Sequence, residues 1–76
     1  MKRNLTSREY TGNTTLPANQ NRGYFYIVFT TGTGTVEFNK GGGLVPIASG
    51  EHYEPYVAPI GEISVVTTGT FVVIEG

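Results

Sequence analysis

From residue 24 onward the hydrophobic positions fall into short, strand-length runs, some continuous and some alternating, and none follows the 3.6-residue period of a helix. Tyr24 to Thr30 is a continuous run of aromatic and β-branched residues, and Thr35 to Phe38 alternates. Leu44 to Ala48 is short and apolar; His52 to Val57, Ile63 to Thr67 and Thr70 to Glu75 complete a set of six predicted strands. The segments between them, Thr31 to Gly34, Gly41 to Gly43, Ser49-Gly50, Pro59 to Gly61 and Thr68-Gly69, carry the residues that turns require. Pro46 and Pro55 donate nothing to a ladder, so their strands belong at sheet edges or are interrupted there.

Thr30-Thr31-Gly32-Thr33 recurs as Thr67-Thr68-Gly69-Thr70, each time entering another strand. The echo suits two similar hairpins on opposite sheets, although a chain rich in Thr and Gly produces such repeats by chance. The glycine clusters do not form a phosphate loop. They lead into strands where that loop needs a helix N-terminus, and Lys40 precedes its glycines, so hairpin turns are expected.

Composition divides the chain near residue 23. The first 23 residues hold only five apolar residues, against 24 in residues 24–76, and eight of the nine aromatics follow the division. Charge divides there too: Lys2, Arg3, Arg8 and Arg22 against Glu9 give +3, and Lys40 against five glutamates gives −4. The expected organisation is an extended, basic, polar N-terminal arm over residues 1–23 and a compact all-β body over 24–76. That body is a small antiparallel β-sandwich or jelly-roll-like barrel of about six short strands. The arm is read either as a tail or as a segment that lies along a partner, with its charge complementing the body.

At 76 residues the chain sits among the marginal domains. It has no cysteine for a disulfide, and its single histidine argues against a structural zinc site. Oligomerisation is the stabilising device left. Tyr24 to Phe29 and Phe71 to Ile74 are apolar at every position, so both faces of these strands want cover, and one interior dries only one of them. Tyr53, Tyr56, Val57 and Ile60, in a proline-rich stretch, either plug the end of the fold or meet a partner.

Candidate chemistry is sparse. Glu51-His52-Tyr53-Glu54 would place His52 and Glu54 on one strand face as a base and its orienter, or as two metal ligands. The chain has no aspartate, no cysteine and three serines, so nothing marks a nucleophile or a third ligand. No enzymatic activity and no cofactor are expected. The acidic body opposes nucleic-acid binding despite its aromatic run, and no stretch approaches a membrane span.

The Thr/Gly-rich turns at Thr30 to Val36 and Thr67 to Val72, the closing Phe71 to Glu75 and the Asn-rich entry Asn19 to Gly23 resemble the small capsid decoration, or cement, proteins of tailed bacteriophages. The resemblance is architectural and covers the whole chain. It implies a non-enzymatic virion structural protein on the capsid surface, assembled as a homotrimer that binds the major capsid protein or another virion protein and stabilises the shell. Lys2, Arg3, Arg8 and Arg22 would seat the arm, with Tyr53 and Tyr56 as further partner-binding residues. The alternative is a small carbohydrate- or ligand-binding β-module, for example part of a phage tail or fibre, using Tyr53 and Tyr56.

Overall fold

The computed structural model describes residues 5–39 and 41–76. Its described residues form eight strands and no helix: β1 (Thr6–Thr11), β2 (Thr14–Leu16), β3 (Phe25–Thr31), β4 (Gly34–Glu37), β5 (Val45–Ile47), β6 (His52–Tyr53), β7 (Ile63–Thr67) and β8 (Thr70–Glu75). They make two four-stranded antiparallel sheets, in the orders β1-β8-β3-β6 and β2-β7-β4-β5. The pairs β1 with β8, β2 with β7, β3 with β6 and β4 with β5 are those of one long antiparallel ribbon folded at the β4–β5 connection. Wrapping that ribbon so that β3 meets β8 and β4 meets β7 generates the jelly-roll order.

The period of two decides the interior. Phe25, Ile27 and Phe29 on β3 alternate with Phe71 and Val73 on β8, and all five point inward and are buried. From the facing sheet come Leu16, Val36, Ile47, Ile63 and Val65. The Phe29 and Phe71 rings lie 5.4 Å apart, and Tyr10 stacks on Phe71 at 5.3 Å.

The structure differs from the sequence expectation in strand number and in the first segment. Residues 6–16, expected in an arm outside the body, pair with β8 and β7 at one side of both sheets. β1 is an edge strand whose other faces meet water, so it needs only Tyr10 as an apolar anchor and shows no apolar alternation. Pro46 does lie in an edge strand, β5, and Pro55 falls beyond the end of β6.

The repeated Thr-Thr-Gly-Thr segments are not hairpins. Each carries the chain from one sheet to the other, β3 to β4 and β7 to β8, and the two corners pack on each other. Thr31 Oγ1 accepts from the Thr70 N–H at 3.1 Å, Thr30 Oγ1 donates to the Thr70 carbonyl at 3.1 Å, and Thr67 Oγ1 donates to the Thr33 carbonyl at 2.8 Å. Threonine hydroxyls thus satisfy backbone groups that the ladder cannot reach at a corner.

Gly69 is required by close approach. A Cβ there would stand 2.0 Å from the Thr31 carbonyl oxygen, whereas one at Gly12, whose φ is +81°, would meet nothing within 4 Å. Gly69→Ala is therefore expected to cost upwards of about 3 kcal/mol, and Gly12→Ala only the left-handed backbone penalty of about 1 kcal/mol. Urea unfolding of the two variants checks this, and equal costs would show that the corners do not pack so closely.

Candidate functional site

The antiparallel registers sort the connections into two ends. One end holds the short corners 12–13, 32–33, 48–51 and 68–69, of two to four residues. The other holds 17–24, 38–44 and 54–62, of seven to nine residues, with Leu5 before β1 and Gly76 after β8. Among the described residues, the exposed large apolar side chains sit at this long-loop end, apart from Val66 on a sheet's outer face. Tyr56 is fully exposed, Val57 is 75% exposed, Leu44 60% and Ile60 52%.

Arg22 holds this end together. Its side chain is 2% exposed, and Nε donates to Glu75 Oε2 at 2.8 Å. Nη2 donates to the Pro17 carbonyl at 3.0 Å, while Nη1 donates to the Pro59 carbonyl and, at 3.3 Å, to that of Gly61. The guanidinium carbon lies 5.8 Å from the centre of the Phe25 ring, so the group also lids the core. One cation thereby joins the 17–24 connection, the 54–62 loop and the last residues of β8. The Asn19 N–H adds a bond to the Ile60 carbonyl at 2.8 Å, and Gly23 and Tyr24 donate to the Gly76 carbonyl. Arginine suits the position because its planar fork meets several acceptors at once, which the point charge of lysine does not.

The aromatic residues divide by role. Phe38 contacts both Phe25, edge-on at 5.9 Å, and Tyr53 at 5.5 Å, so Tyr53 is half plug and half surface. Tyr56, Val57 and Ile60 plug nothing. The Tyr24 hydroxyl donates to Glu54 Oε2 at 2.5 Å beside Pro55 and Tyr56. That bond to an anionic acceptor, followed by desolvation and the Glu54 charge, raises the phenol above its ordinary value of 10.0.

Of the residues expected to bind partners, Arg22 is instead consumed within the chain, since its buried guanidinium already has four acceptors. Arg8 is exposed on the edge strand β1, Tyr53 and Tyr56 lie at the long-loop end, and Lys2 and Arg3 fall outside the described residues. The Glu51 to Glu54 segment assembles no dyad. Glu51 accepts from the Ala48 N–H at 3.0 Å, Glu54 is engaged by Tyr24, and the His52 ring stacks on Tyr26 at 5.2 Å. Among the described residues, no group of three His, Asp or Glu side chains is placed to hold a metal. No protein-family model matches the chain, and comparisons with curated proteins and with solved structures find no match.

Arg22→Ala is expected to destabilise the fold by about 3 kcal/mol, because it takes the shared donor from Glu75 and from three part-buried carbonyls. Arg22→Lys should recover less than half of that by urea unfolding, and full recovery would reduce the residue to a charge. Tyr24 should titrate above 10.0, and Glu54→Gln should return it toward that value, read by tyrosinate absorbance. Since the folded-state value is the raised one, the stability this bond contributes is present below the ordinary pKa and is lost as pH rises through the raised one.

Proposed function

We propose that this chain is a non-enzymatic structural protein of a virion, a decoration protein that docks on the capsid surface as a homotrimer and reinforces the shell. The observation that carries the reading is the concentration of exposed apolar side chains at the long-loop end, where Tyr56, Val57 and Ile60 stand out from the 54–62 loop that Arg22 ties down, and Leu44 from the 38–44 connection. Such a patch on a small protein marks a surface that another protein covers. Docking on the assembled shell, and not on its free subunits, stabilises the shell by mass action. The jelly-roll order adds support by analogy of fold, since capsid and lectin domains use it.

Association between copies of the chain would use the outer face of the β1-β8-β3-β6 sheet. Tyr26 and Val28 on β3 and Val72 and Ile74 on β8 point outward and are half-buried. They form an apolar stripe between Glu9 on β1 and His52 on β6, where a lone sheet facing water would alternate with polar residues. The facing sheet turns Thr15, Thr35 and Ser64 outward, with Val66 as the exposed apolar residue among them. Arg8, and Lys2 and Arg3 ahead of β1, would then supply positive charge to an acidic partner surface.

A carbohydrate-binding module is the second reading, favoured by the Tyr24–Glu54 hydrogen bond next to the exposed Tyr56 ring, a ring face with polar groups beside it. Two measurements test the first reading against it. Val57→Asp should abolish co-sedimentation with capsids while leaving the unfolding midpoint unchanged, and attachment that survives it overturns the docking end. Light scattering should give about three times 8.2 kDa for the parent chain and a single-chain mass for Val72→Glu; a parent chain that stays single contradicts the trimer.

A further inference from the structure

Three hollows at the long-loop end join in series. Tyr24, Glu54 and Tyr56 line the first, and Pro55 separates it from a second formed by Tyr53, Val57 and Pro59. Phe38 separates that from a third, bounded by Glu37, Asn39 and Glu62. Adjacent through these two shared walls, they form a partitioned, open groove across the strand ends, from the β6 side of one sheet to the β4–β7 side of the other. Its middle is aromatic and proline-lined. Carboxylates stand at both ends, Glu54 at one and Glu37 with Glu62 at the other. Among the described residues the one ion pair is Arg22 with Glu75, so none of these three carboxylates is matched by a described cation.

We infer that this groove takes an extended, proline-containing peptide segment with a basic residue toward each end, donated by the partner protein. The inference deepens the docking reading by naming the chemistry of what docks, and rests on it only for the identity of the donor. The shape selects the class. The three hollows measure about 290, 210 and 490 Å³ along the line and are open to solvent, whereas a site for a small organic ligand encloses most of its surface. The groove crosses strand ends and offers no row of free edge amides, so strand addition does not apply. What it offers is ring and proline faces, the surface that a polyproline II segment uses. Sheets packed face to face generally lie about 10 Å apart, a distance that three to four such residues span at about 3.1 Å each. Pro55 and Pro59 stiffen the floor and Arg22 clamps the carbonyls of Pro59 and Gly61, so little ordering remains to be done on binding.

The test uses the full chain and three probes: a fluorescein-labelled five-residue peptide of prolines and leucine with arginine at both ends, the same peptide ending in glutamates, and maltohexaose. The basic peptide should bind at least tenfold more tightly than the acidic one by anisotropy, and move amide resonances at residues 24, 37–39 and 53–62. Its affinity should fall several-fold as salt rises from about 50 to 500 mM. Glu62→Gln should weaken it up to about fivefold, the ceiling of one exposed ion pair, and Val57→Asp should weaken it by more than tenfold with the fold intact. Equal binding of the two peptides, shifts confined to residues other than 24, 37–39 and 53–62, or shifts produced by maltohexaose in place of the basic peptide would overturn the assignment. No shell is present in this experiment, so its failure is distinguishable from a failure of capsid attachment.

Discussion

A single buried guanidinium is the constraint on which the long-loop end depends. Bringing Arg22 out of water is costly, and the cost is met because its donors reach Glu75 and the carbonyls of Pro17, Pro59 and Gly61. Prolines are prominent among the acceptor residues for a physical reason: a proline keeps its carbonyl while giving up its N–H, so a Pro-rich loop presents acceptors in excess of donors. A chain with no disulfide thereby gains a tie between three distant segments. Among the described residues no buried side-chain nitrogen or oxygen is left without a partner, which fits a fold stabilised by completing its hydrogen bonds as much as by its core.

The two ends of the fold solve the same problem in opposite ways. At the short end, two-residue corners leave few backbone groups over, and the Thr and Asn side chains take those up, as when Asn13 Oδ1 accepts from the Thr67 N–H at 3.0 Å. At the long end the connections are too extended for that, and Arg22 supplies the missing donors. The short end closes the fold, and the long end is free to carry exposed apolar groups on a fixed frame. Rigid presentation of otherwise unfavourable surface is the property that a recognition surface needs.

Much of this was legible in the sequence. Ile63 to Thr67 and Thr70 to Glu75 have the bounds that their β-branched and aromatic runs predict, and β3 is displaced by one residue. Burial on one face and hydrophobicity together mark such strands. β1 was not legible, since Thr6-Ser7-Arg8-Glu9-Tyr10-Thr11 is an edge strand that meets water on most sides and carries almost no apolar signal. β2 has three residues, too few for a period to show. The corners were found but misread as hairpins, because local sequence marks a turn without saying which sheet follows it. The expectation that Arg22 seats the arm on a partner fails for a related reason. Its acceptors come from residues 17, 59, 61 and 75, and no local pattern could have disclosed them.

The central claim is that the long-loop end is a preformed surface held by Arg22. Backbone order parameters from amide nitrogen relaxation test it most directly. Residues 56–61 of the parent chain are expected to approach the value of about 0.85 typical of rigid backbone, and to drop below about 0.6 in Arg22→Gln while β3 and β8 stay ordered. A loop already below about 0.6 in the parent chain, or one that the substitution leaves unchanged, would contradict the account.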